Sequence, residues 1–117
     1  MITIKTEQEV EAFLREFRPK LSIWGIIFIH RDKNEEALKA LGITPLAREE
    51  IIKKIEKEDY SHSIIQESSF GDLWVFGKDY DGTELYIKIS MGVPGSNTIC
   101  ISFHEAEHPL DYPLKRK

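Results

Sequence analysis

Near the C-terminal end, chemically capable side chains recur at alternate positions of two neighbouring stretches: Tyr86 and Lys88 within residues 84–90, and Ser102 and His104 within residues 98–104. A phenol, an ammonium and an imidazole brought to one place can move protons and stabilise anionic charge without a metal, so no cofactor is called for. His62, in the polar run Tyr60-Ser61-His62-Ser63, can join from the edge. Two histidines supply one base and one acid near neutral pH. The bland counterpart is a solvated sheet face, because antiparallel sheets commonly leave one polar side to water.

Other motifs carry less. His104-Glu105-Ala106-Glu107-His108 matches H-E-x-x-H. That pattern binds zinc when its histidines sit a turn apart on a helix. Here it follows a strand-like run and meets Pro109, which disfavours helix at His108. A zinc hydrolase is therefore a third-rank reading. Cys100 lies four residues from His104 along one extended run, too far for a nucleophile to touch its base, and reads as a packed thiol. No Walker-type, G-x-G-x-x-G or EF-hand loop occurs.

The elements that must position these residues follow from periodicity. Thr6 with Glu9 forms a capping-box pattern ahead of a Val10, Phe13, Leu14, Phe17 helical stripe, and Pro19 is expected to end that helix. Residues 21–29 read as a mostly buried strand, with a buried helix as the competing assignment. After the polar break Arg31-Asp32-Lys33-Asn34 comes a short helix carrying Ala37, Leu38 and Leu41 and stopped by Gly42. Thr44-Pro45 starts another, striped by Ile51, Ile52 and Ile55 and running to about residue 58. The period then changes to two. Residues 73–76, 84–90 and 98–104 predict a three-stranded meander, with Asp81-Gly82 as the hairpin turn. Leu85, Ile87, Ile89, Ile99, Ile101 and Phe103 should face the helices, leaving Tyr86, Lys88, Cys100, Ser102 and His104 on the other side.

A chain of 117 residues with 41% apolar and 31% charged side chains has the size and composition of one ordinary globular domain spanning 1–117. One cysteine excludes an intramolecular disulfide and suits a reducing compartment. No apolar run approaches the roughly 20 residues a membrane helix needs, and no basic stretch leads into an apolar one at the N-terminus. A cytoplasmic location is expected. The formal charge of −4, with eight acidic against five basic residues over 61–117, offers no global basic field for nucleic acid.

From Ala37 to Glu105 the chain nevertheless resembles the MqsR-like toxin family. The similarity rests on the Ala-Leu-x-x-Leu-Gly helix ending at Gly42, Asp59-Tyr60-x-x-Ser63, the strand with Trp74, Gly82-x-x-x-Tyr86-x-Lys88-Ile89, and Ile101-Ser102-Phe103-His104-Glu105. The resemblance implies an α+β, RelE-like fold with N-terminal helices on a small antiparallel β-sheet. It implies a ribosome-independent endoribonuclease cleaving mRNA, and a cognate antitoxin, expected to be of helix-turn-helix type, covering the active face. It further implies a catalytic set of two lysines, a glutamine and a tyrosine. Carried over by position, the tyrosine is Tyr86, the lysine positions hold His62 and His104, and the glutamine position holds Val75. The expected catalytic residues are thus His62, Tyr86, Lys88 and His104, with His62 and His104 as the acid–base pair and Lys88 on the phosphate. A non-catalytic protein-binding module of the same fold is the alternative.

Overall fold

The computed structural model describes residues 1–65 and 71–115. Helix α1 (Glu7–Trp24) starts at a complete capping box, Thr6 and Glu9 each accepting from the other's backbone N–H. It buries Val10, Phe13, Leu14, Phe17 and Leu21. Pro19 lies inside α1 and does not end it. Proline removes the bond to the carbonyl of Arg15, but both residues face solvent, where water can take that carbonyl. The helix stops instead at Gly25, whose φ of 79° lies where side chains other than glycine's are strained. Residues 21–24 are therefore helical, and the following strand β2 is only Ile26–Phe28.

Helix α2 (Asp32–Leu41) begins within the expected polar break, and Gly42 ends it in the left-handed conformation. Helix α3 (Pro45–Lys53) starts at Thr44, whose Oγ1 accepts from the Ala47 N–H. It is shorter than expected: a 3-10 turn at Lys57–Asp59 leads into β3 (Tyr60–Ile64). β4 (Leu73–Tyr80), β5 (Thr83–Ser90) and β6 (Thr98–Glu105) follow, with positive φ at both Asp81 and Gly82 in the hairpin turn.

With β1 (Ile2–Thr3), the strands make one six-stranded sheet in the order β1-β3-β4-β5-β6-β2. The α+β class with N-terminal helices holds. The sheet is larger than the expected meander and mixed, because β2 pairs with β6 in parallel. Asn34, at 3% exposure, extends that pairing. Beyond Cys100 no strand among the described residues covers the outer edge of β6, and Asn34 Nδ2 donates to the Ile101 carbonyl while its Oδ1 accepts from the Phe103 N–H. One side chain thus ties the start of α2 to the sheet.

The core lies on the α1 side. Phe13 stacks on Trp74 at 4.2 Å, and Tyr60 meets Phe76 edge-on at 5.7 Å. Register sorts the central strands into rows. Tyr60, Phe76, Ile87 and Phe103 form one core-facing row; Ser63, Trp74, Ile89 and Cys100 form another. Between them lies the row His62, Val75, Lys88, Ser102, which faces the opposite way. Two irregularities allow this: Ser61 is the extra residue of β3 and Ile101 that of β6. Strict alternation put Cys100 beside Ser102 and His104. The bulge at Ile101 instead turns Cys100 into the core, where burial pushes its thiol up to about 12.

Candidate active site

The side of the sheet away from α1 carries all four expected residues. Tyr86 and His104 are direct cross-strand partners, their rings stacked at 5.1 Å and 10° between planes. Lys88 Nζ stands 5.9 Å from the centre of the Tyr86 ring. His62 reaches this side because of the Ser61 bulge; without it, His62 would share a face with Tyr60, two residues earlier, which is wholly buried. Three strand spacings, roughly 14 Å of sheet at about 4.8 Å each, separate the backbones of β3 and β6. His62 and His104 still line one pocket of about 390 Å³ together with Tyr86, Glu107, His108, Pro109 and Leu110.

The C-terminal segment after β6 makes the outer wall of that pocket. It folds back across the sheet, and Glu84 holds it. The Glu84 carbonyl accepts from the Ala106 N–H, Oε1 from the Leu110 N–H at 3.1 Å, and Oε2 from the Tyr112 hydroxyl at 2.7 Å. Burial and this carboxylate both push the Tyr112 hydroxyl above its ordinary range, so it stays a donor. Gly77 makes room underneath, since a Cβ there would lie 2.0 Å from the Tyr112 oxygen.

His104 is 7% exposed. Its Nδ1 lies 2.9 Å from the Glu105 carbonyl oxygen. A carbonyl can only accept, so in the neutral ring Nδ1 carries the proton and Nε2 keeps its lone pair. Burial lowers the His104 pKa first; the Glu105 carbonyl pulls the other way, and Lys33, Arg31 and Lys88 lower it further. His62 is lowered by burial and then by Lys88. Lys88 is itself lowered, by burial and by the charges of Arg31 and Lys33. Tyr86 is raised by burial, an effect Arg31 partly offsets. Each group is biased toward its neutral form, and each histidine feels Lys88.

Three features of this site escaped the sequence reading. Arg31 and Lys33, taken as part of a polar break, lean over β6; Arg31 Nη1 donates to Ser102 Oγ at 3.0 Å, and Lys33 pairs with Glu107. No local signal marks them, because their placement depends on Asn34 docking on β6, 67 and 69 positions away. The wall at residues 106–112 was also missed, and its signal was Gly77 inside a strand, which marks a close approach by another segment.

The H-E-x-x-H run has no helical context. β6 continues through Glu105 and the chain then bends, so His104 and His108 are not one helical turn apart. Among the described residues no helix is long and apolar enough to cross a membrane. Compared with protein-family models, with curated proteins and with solved structures, the chain matches none.

Proposed function

We propose that this chain is a toxin-type endoribonuclease that acts in the cytoplasm on single-stranded mRNA and is restrained by a cognate antitoxin over the same face. The observation that carries this reading is the gathering of His62, Tyr86, Lys88 and His104 on one side of the sheet, with both imidazoles and the phenol in the lining of one pocket. The resemblance of residues 37–105 to MqsR-like toxins supports it from the sequence. The overall charge of −4 weighs less against it because Arg31 and Lys88 place positive charge at the site.

In the proposed reaction, His104 Nε2 takes the proton of a 2′-hydroxyl, since its Nδ1–H is occupied by the Glu105 carbonyl. The 2′-oxygen attacks phosphorus, the bond from phosphorus to the 5′-oxygen breaks, and His62 delivers a proton to that departing oxygen. The products are a 2′,3′-cyclic phosphate and a free 5′-hydroxyl. Lys88 offsets charge on the crowded phosphate, and the Tyr86 hydroxyl, kept protonated by burial, orients it.

The test is purified protein with single-stranded RNA in EDTA at moderate salt. Cleavage that His62→Ala and His104→Ala each abolish supports the roles, whereas absent cleavage, or cleavage that neither change affects, removes them.

A second reading, a binding module without chemistry, draws on Ile23, Trp24 and Ile27, exposed by 73%, 50% and 48% beside edge strand β2. Expression in a bacterium separates the two: growth arrest points to the toxin, and indifference to the module.

A further inference from the structure

The cationic groups around Ser102 go beyond the four residues assigned so far. Lys88 and Ser102 are cross-strand partners, and Arg31 Nη1 bonds Ser102 Oγ at 3.0 Å, so one cation holds the hydroxyl of Ser102 and a second stands on the neighbouring strand in register with it. Among the described residues neither Arg31 nor Lys88 has a carboxylate within ion-pairing distance. Glu107, in the segment after β6, pairs with Lys33 instead. Like charges held close without a counter-ion oppose each other, and the Arg31 charge does disfavour the charged form of Lys88.

The arrangement is also held in place. Arg31 precedes α2, and the buried Asn34 fastens the first turn of that helix to Ile101 and Phe103 around the β6 bulge. A guanidinium has five N–H donors in a fixed fork. Ser102 engages one nitrogen of it, and Arg31 is exposed, so further N–H donors remain for a ligand.

We propose that Arg31, with Lys88 and Ser102, forms the oxyanion subsite that takes the non-bridging oxygens of a phosphodiester, Arg31 being a substrate-binding residue that neither sequence alternation nor family resemblance indicates. The proposal deepens the nuclease reading and rests on it for the identity of the phosphate. It gives Ser102, a small hydroxyl, a role: it orients the guanidinium without neutralising it.

Inorganic phosphate is the probe, titrated into the full chain and followed through the backbone amide signals of Ser102 and His104. Saturable binding is expected, weakened roughly 10–100-fold in Arg31→Ala, as the loss of charge-assisted hydrogen bonds implies. Arg31→Gln, which keeps a donor for Ser102 and removes the charge, should weaken it nearly as much. Arg31 is exposed and Arg31→Gln keeps a donor for the buried Ser102, so that variant should retain the wild-type melting temperature. A single-stranded oligonucleotide whose 2′-hydroxyls are removed should displace the phosphate. Unchanged phosphate affinity in both variants, no binding by the wild type, or no displacement by the oligonucleotide overturns the subsite. Phosphate binding that depends on Arg31 in a protein that cleaves no RNA would instead keep the subsite and sink the nuclease reading.

Discussion

On the side of the sheet that meets α1, Phe76, Ile87 and Phe103 are at most 1% exposed and lie in one apolar cluster with Phe13 and Phe17. On the other side, their neighbours along the same strands are Val75, Tyr86, Lys88, Ser102 and His104, a mostly polar row of which Tyr86 and His104 line a pocket walled by a short irregular segment. A helix can seal an apolar face because it satisfies its own backbone; an irregular segment needs outside partners. Here Glu84 supplies them through its side chain and its carbonyl. The difference teaches that the first face supplies stability and the second spends little of it, leaving an opening where proton transfer can occur.

That division can be broken by mutation, starting where the effect is largest. Phe76→Ala removes a wholly buried ring from the core side and should cost about 3–5 kcal/mol, read as a lowered denaturant midpoint. A cost under about 1 kcal/mol would mean that this face is not the core. On the opposite side, His104→Ala should lower RNA cleavage roughly 10²–10⁴-fold, the usual range for a lost general base. Its stability cost should stay below that of Phe76→Ala, since the stack on Tyr86 adds only roughly 0.5–1.5 kcal/mol to what burial of the ring contributes. A large stability loss with cleavage intact would reverse the division.

Gly77→Ala probes the covering segment. The added methyl would meet the Tyr112 oxygen and Leu110, and overpacking of this kind costs about 1–3 kcal/mol. Limited proteolysis should then cut within residues 106–115 while the helices stay protected. Unaltered proteolysis would show that the segment does not rest on Gly77.

The pH dependence gives the smallest effect. Burial and nearby cations hold His62 and His104 below 6.5, so kcat/KM, which reports the free enzyme, should peak on the acid side of pH 6.5. The same shifts set a stability trend. Because the folded state favours the neutral rings, the unfolded chain binds more protons between the folded pKa values and 6.5, and their contribution is full above 6.5 and lost as pH falls through the folded values. A rate maximum above pH 7 would contradict the environment assigned to both rings.

Much of this was legible in the residues. Capping at Thr6, the stops at Gly42 and Asp81-Gly82, and the clean alternation of β5 are local signals, and local structure obeys them. The site residues on β5 followed directly from that alternation. What stayed hidden was non-local. A bulge such as those at Ser61 and Ile101 leaves no mark in hydrophobic periodicity, and the one at Ile101 sent Cys100 into the core. Pro19 reads as a stop unless its exposure is known, and the strand Ile26–Phe28 is too short to announce a parallel pairing. Arg31 belongs to the site because Asn34 docks on β6, a contact between residues 67 and 69 positions apart.

The most direct test of convergence needs no substrate. Lys88→Met keeps an unbranched side chain one atom shorter and removes its charge, and the titrations of the His62 and His104 imidazoles can be followed by NMR. Since the Lys88 charge opposes protonation of both rings, both pKa values should rise in the variant. If only one moves, or neither does, these groups do not share a site.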